Sequence, residues 1–393
     1  MDFILGIWSS ATGLISYLVP FLFVLTIVVF FHELGHFSVA RYFGTKVDVF
    51  SIGFGKEIFG WFDRHGTRWR VSWVPLGGYV KFHGDENAAS TPDQEHLKQQ
   101  RENLSEQELS ELFHFKPLYQ RAAIVAAGPF ANFLLSIIIF SVFFWFVGQQ
   151  VLMPRVGEVL PESAAEAAGL QYGDLITEID GRKIDSFTEL QGVVALSSGN
   201  ELSIRVDRNG QLIDLVATPQ RMEDVDPFGN KVQLGKLGFQ HRGLEEDTIY
   251  ERYGPIKAVQ VGVGQTWFIV EQTMVFVSRL FVGKEDAAQI SGPVRIAQIS
   301  GEVAGLGFVA LINLAAILSV SIGLINLFPV PMLDGGHLLY YAYEAVAGKP
   351  LSERVQEYGF RVGLAMVLCL MVFATWNDIT QLSLIPNISG AIN

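Results

Sequence analysis

Three long stretches without a charged residue constrain this chain more than any other feature: residues 3–31, 122–154 and 303–333. Each is dense in Leu, Ile, Val and Phe and exceeds the roughly 20 apolar residues that a helix needs to cross a hydrocarbon layer. In lipid every backbone polar group has to be satisfied internally, which makes helix the expected form of such runs. A fourth stretch, 362–377, is shorter. It spans if Arg361 snorkels to one interface and Trp376 sits in the aromatic belt of the other. Charged residues make up 17% of the chain, against about 25% in soluble domains, which agrees with a lipid setting. The single cysteine, Cys369, excludes intrachain disulfides and Cys-rich zinc modules. A net charge of −12 excludes general nucleic-acid binding, which needs a basic surface.

Residues 1–31 hold no Lys or Arg, so the first stretch reads as a membrane anchor rather than a cleaved leader. The tails 1–13 and 378–393 are equally bare, whereas loop 41–121 carries eleven basic residues. The positive-inside rule then places both termini outside, with loop 41–121 and the connection between the third and fourth spans cytoplasmic.

Between the spans, residues 46–82 are rich in Val, Phe, Trp and Tyr and are punctuated by Gly53, Gly55, Gly66 and Gly77-Gly78. They predict a small meander of four segments at 47–52, 56–61, 68–73 and 78–82. Residues 83–118 read as a polar cytoplasmic loop, helical over 93–113. Residues 149–240 read as an independent α/β domain. Its strands fall at 156–159 and 174–179, its helices at 161–168 and 186–196, and Asn209-Gly210 turns a hairpin between 201–207 and 211–218. Residues 241–302 form a linker. Within it, 264–282 is amphipathic but carries Glu271 and Arg279, so it predicts an interfacial helix and not a fifth span. The expected fold is therefore an α-helical polytopic membrane protein. Its four transmembrane helices (1–45, 119–148, 303–340 and 341–393 with an outside tail) carry a membrane-associated β-sheet and one extracytoplasmic α/β domain.

The chemistry concentrates in His32-Glu33-Leu34-Gly35-His36 at the end of the first span. Helical residues four apart share a face, so both imidazoles can converge on one metal ion. Glu33, about 100° around the helix, reaches a water beside that ion without being a ligand. A catalytic zinc needs a third protein ligand. Asn326-Leu-Phe-Pro329-Val-Pro331-Met-Leu-Asp334-Gly-Gly-His337 ends the third span on the same expected side of the membrane. Asp334 and His337 both qualify by residue chemistry, and a helix-capping role is the alternative for Asp334.

His32–His36 and the 326–337 segment together resemble the site-2 protease family of intramembrane zinc metalloproteases, in particular its bacterial RseP-like members. Agreement extends to Gly53-Phe54-Gly55, to the 75–82 block, to Ala127-Gly-Pro-Phe-Ala-Asn132 and to the 291–297 block. The Gly157…Gly169…Asp174…Gly181 run resembles a bacterial PDZ domain. The resemblance implies one zinc ion on His32, His36 and Asp334, with Glu33 as the base and His337 outside the ligand set. It implies substrate contacts from Asn326, with Gly53, Phe54, Gly55, Pro329 and Pro331 around it. It further implies a bacterial inner-membrane protein, and substrates that are single-span membrane proteins trimmed first by another protease. The PDZ domain would gate these or bind their peptide termini. Where RseP-like members carry two tandem PDZ domains, residues 221–305 show no second copy of the pattern. A membrane scaffold and a transporter are the competing readings. A scaffold has no need of Glu33, and a transporter should show internal repeats.

Overall fold

The computed structural model describes residues 2–84, 100–225, 231–242, 247–282 and 291–381. Residues 93–99 of the expected 93–113 helical stretch and the tail 382–393 lie outside the described residues. The chain enters as one helix, α1 (Asp2–Tyr42), followed by strands β1 (Val47–Phe62) and β2 (Arg68–Phe82). A short helix α2 (Glu106–Glu111) begins with a Ser105/Glu108 capping box and leads to α3 (Leu118–Phe146). Next come β3 (Gln149–Leu152), β4 (Val156–Val159), α4 (Ala164–Ala167), β5 (Leu175–Ile179), β6 (Arg182–Lys183) and α5 (Phe187–Leu196). Strands β7 (Leu202–Arg208), β8 (Gln211–Ala217), β9 (Gln220–Val225), β10 (Lys231–Lys236), β11 (Phe239–His241) and β12 (Thr248–Glu251) follow. Helices α6 (Pro255–Phe281), α7 (Pro293–Gly305), α8 (Phe308–Asn326), α9 (Asp334–Ala347) and α10 (Glu353–Gln381) complete the described chain. Two compact units result: Met1–Ser141 with Val259–Asn393, and Val142–Ala258.

In the first unit, four helices are long and apolar enough to cross a membrane: Ile15–Tyr42, Leu118–Phe146, Phe308–Asn326 and Arg354–Thr380. They match the four expected spans in number, with shifted ends. The third starts at Phe308 and not at 303, because Gly307, at φ +112, separates α7 from α8. The fourth is longer than expected, since Glu357 and Arg361 pair one turn apart and carry the helix past the apolar run. Helix α6 is not among the four, in keeping with the charges that argued against a fifth span. Between spans, small residues allow close approach. Gly323 of α8 faces the Pro129 carbonyl of α3, and Ser319 Oγ donates to the Asn132 carbonyl at 2.9 Å. Buried Asp378 of α10 accepts from the Gly292 and Arg295 backbone N–H groups, both at 2.9 Å, and so caps α7. That contact gives the 291–297 block a structural role.

The sheet departs from the simple meander. Its four segments are present, but the register splits each long strand into two arms. Residues 49–52 pair antiparallel with 78–81, and 57–62 pair antiparallel with 68–72. Residues 49–52 also match 68–71 in step (Val49 with Arg68, Ile52 with Val71), so these two arms run the same way. The order across the sheet is thus 57–62, 68–72, 49–52, 78–81, with the first arm between the third and fourth. Gly53 and Gly55, at φ +86 and +87, allow the reversal. A Cβ on Gly53 would lie 2.8 Å from the Val74 carbonyl oxygen. Phe50, fully buried, stacks on Trp69 and anchors the sheet to Phe30 and Phe37 of α1.

The second unit has a four-stranded sheet in the order β6-β5-β7-β8, closed over Val156, Ile176, Ile179, Leu190, Ile204 and Val206. Asn209-Gly210 turns the β7–β8 hairpin with both residues at positive φ, as expected. Buried Asp174 accepts two hydrogen bonds from Arg208, which also reaches the Gly169 carbonyl. The unit runs past the expected end at 240, because β12 pairs back on β3. Buried Asp247 accepts from Arg155 Nε at 2.9 Å and from Arg242 Nε and Nη2 at 2.6 and 2.8 Å. Burial alone would raise its carboxyl, but the two guanidinium groups outweigh burial and hold it below the usual carboxylate range. A depressed pKa adds stability that is complete above the unfolded value near 3.9 and is lost as pH falls through the lowered one. Asp247→Asn is expected to destabilise this unit by about 1.5–3 kcal/mol at neutral pH. Denaturation of the full chain at several pH values checks this. The gap to the unmodified chain should close in acid, and a pH-independent gap contradicts it.

Candidate metal centre

Helix α1 sets His32 and His36 one turn apart with their rings edge to face, 4.8 Å between centroids, and their Nε2 atoms 3.2 Å apart. Asp334 reaches them from about 300 positions further along the chain. Helix α8 stops at Asn326, and Pro329 and Pro331 keep the chain irregular until α9 begins. Gly335 and Gly336 make the return possible. A Cβ on the first would overlap the Leu327 and Phe328 carbonyl oxygens, and one on the second would lie 2.7 Å from Pro331 Cα. Helix α9 therefore starts folded back onto the loop that precedes it. Its N-cap position is Leu333, without a side-chain cap, so the capping alternative for Asp334 does not apply. The carboxylate instead points at the imidazoles, Oδ2 lying 3.2 Å from His32 Nε2 and 3.6 Å from His36 Nε2.

These three distances test the fit to a metal. Zinc bonds of about 2.0–2.2 Å to N and O in tetrahedral array place neighbouring donor atoms about 3.3–3.5 Å apart. The observed triangle of 3.2, 3.2 and 3.6 Å has that size. Among the described residues, Asp334 Oδ2 is buried and accepts no well-formed hydrogen bond. His32, His36 and Asp334 are also the one group of His, Cys, Asp or Glu side chains close enough to share an ion among the described residues. The donor set fits zinc. His337 stays outside this trio and lines the cavity beside it.

Helix α3 braces the imidazoles. His36 Nδ1–H donates to the Ile124 carbonyl at 2.9 Å, which fixes the tautomer whose Nε2 lone pair faces the trio. Gly128 leaves space for that ring, since a Cβ there would overlap His36 Nε2 and sit 2.6 Å from Cε1. Gly35 in turn packs on the Ala127 carbonyl. Asn132, fully buried, lies 3.3 Å from His32 Nδ1 through its amide. Sequence reasoning gave none of these α3 residues a role. The available signal was a Gly-Pro pair and an amide inside an otherwise apolar span.

A cavity of about 440 Å³ opens on the trio, and its wall includes Glu33, Phe54, Tyr79, Asn326 and His337. Of the residues expected around substrate, Phe54 and Asn326 reach this wall. Gly53, Gly55, Pro329 and Pro331 are not among its lining residues. Gly53 closes on Val74, while Pro331 packs against Gly363 of α10. Gly78 belongs to the edge arm of the sheet and abuts Glu33, so that a Cβ would stand 3.0 Å from Glu33 Cγ.

The profile of peptidase family M50 matches residues 20–370. A protein from Rhizobium meliloti named as a zinc metalloprotease is 50% identical over 94% of this chain and 98% of its own length. One of the same kind from Agrobacterium fabrum is 46% identical over 95% and 98%. The metalloprotease MmpA of Caulobacter vibrioides is 41% identical over 96% and 99%. Among solved structures, the PDZ domain of an SdrC-like protein from Listeria monocytogenes is 22% identical with a TM-score of 0.17, covering 26% of this chain and 92% of that one.

Proposed function

The chain belongs to peptidase family M50, the site-2 protease family of zinc metalloproteases, and on that premise we propose that it cuts the transmembrane segments of single-span membrane proteins. The observation that carries this reading is the His32–His36–Asp334 trio beside Glu33, with both histidines inside an apolar helix (Ile15–Tyr42), Asp334 just beyond another (Phe308–Asn326), and a cavity opening on all three. Bound there, zinc supplies a Lewis acid and makes water nucleophilic near neutral pH. Glu33 takes the proton of the attacking water and returns it to the leaving amine. Asn326, with a donor and an acceptor on the cavity wall, holds the unwound substrate backbone.

A helical substrate has to give up its own hydrogen bonds to expose a peptide, and unpaired backbone in lipid costs several kcal/mol per group. The sheet arm 78–82 supplies replacements. It pairs on one side with 47–52 and forms a cavity wall at Gly78, Tyr79 and Val80, where an extended segment adds as a further strand. Phe54 and Tyr79, roughly parallel with ring centroids 6.2 Å apart, form its apolar flank.

The setting we propose is the bacterial inner membrane, with both termini outside and the metal near the cytoplasmic face. The 142–258 unit then lies outside as a PDZ-like gate or peptide dock, admitting substrates trimmed by a first protease. Anti-sigma-factor-like proteins of stress responses and remnant signal peptides are the substrate classes. The purified chain should hold one zinc and cleave a single-span reporter in a chelator-sensitive way, and Asp334→Ala should lose both properties. A scaffold or a transporter would leave the reporter intact.

A further inference from the structure

Asn132 is buried in the middle of α3, and its amide is poorly served. Nδ2 stands 3.3 Å from His32 Nδ1, while Oδ1 is buried and takes no hydrogen bond among the described residues. The two ends of an amide are interchangeable in shape, and their assignment follows from the hydrogen bonds they make. A histidine that binds a metal through Nε2 is neutral and carries its proton on Nδ1, where it needs an acceptor. His36 already meets that requirement with the Ile124 carbonyl, a group that can only accept. For His32 to ligate in the same way, the amide has to turn its acceptor, and not Nδ2, toward His32 Nδ1.

We propose that Asn132 is the positioning residue of the metal centre, its Oδ1 accepting the His32 Nδ1–H and holding the tautomer whose Nε2 lone pair faces the ion. The exchange removes a donor facing a donor and gives the orphaned oxygen a partner. It needs no movement of α3, which is pinned here by Ser319 Oγ donating to the Asn132 backbone carbonyl at 2.9 Å. Helix α3 then orients both histidines of α1, through Ile124 and Asn132 two turns apart. With Nδ2 facing the ring, His32 Nδ1 would accept, its proton would sit on Nε2, and that atom could not ligate.

The inference rests on the zinc reading of the trio, and the test separates the two. Full-length chain in detergent is stripped of metal, and its zinc affinity is measured by competition with a chromophoric chelator, without any substrate. Asn132→Asp offers only acceptors, and Asn132→Leu, branched at the same atom, offers neither acceptor nor donor. The expected result is Asn132→Asp within about threefold of the unmodified chain, or tighter. Asn132→Leu should weaken by about 10–100-fold, the usual effect of losing a partner to a ligating histidine. If the Leu variant fails to fold, the Asp variant decides alone, and a tenfold or greater loss in it overturns the proposal. A folded Leu variant with native affinity also overturns it, because no acceptor is then required. An unmodified chain that binds no zinc overturns the metal reading itself and this inference with it.

Discussion

Glu33→Gln is expected to bind zinc as the unmodified chain does and to cleave a single-span reporter at least about 10²–10⁴-fold more slowly, the usual contribution of a general acid–base group. Glu33 shares a helix turn with His32 and His36 and lines the same cavity, yet is none of the three donors. Glutamine has the same shape and keeps the contact with Gly78. It cannot take a proton from water at neutral pH. Loss of cleavage with native zinc content therefore isolates proton transfer from metal binding. A Gln variant that cleaves at the native rate would remove Glu33 from the mechanism.

A comparable loss is expected at a residue with no chemistry of its own. Gly128→Ala puts a methyl group where it overlaps His36 Nε2, 2.6 Å from Cε1 and 2.8 Å from Cδ2. The ring cannot swing clear without giving up its hydrogen bond to the Ile124 carbonyl. The overlap falls on the Nε2 atom that would ligate, so zinc affinity should drop by more than the roughly 10–100-fold typical of a lost outer partner. Gly264→Ala on α6 is the control, since a Cβ there meets nothing within 4 Å. Chelator competition on the two variants decides the matter. Equal affinities would mean that α3 does not confine His36.

Both effects bear on how much of the site could be read from residue order. The His32–Glu33–His36 spacing is local, so helical periodicity alone converts it into a shared face, and the structure keeps it. The choice between Asp334 and His337 was not local. It depends on where α9 begins, which the carbonyl oxygens of 327–330 and the two glycines packed on them decide. The bracing of His36 by Ile124 and Gly128 was likewise hidden, because it uses a backbone carbonyl and an absent side chain, neither of which leaves a chemical signature. The four arms of the sheet were legible from composition, whereas their order was not. Turn glycines say that the chain reverses but not which neighbour it then meets.

The residue order by itself determined the four apolar spans, the paired imidazoles with their adjacent carboxylate, and the Asn209-Gly210 hairpin. Each follows from interactions among residues close along the chain or from the solvent they must avoid. Only the folded chain decided that Asp334 completes the donor triangle, that α3 holds the histidine rings, and that the 49–52 arm lies between 68–72 and 78–81. These depend on contacts between residues tens to hundreds of positions apart. Many pairings of apolar faces look alike in composition, and close packing and hydrogen-bond geometry select one of them.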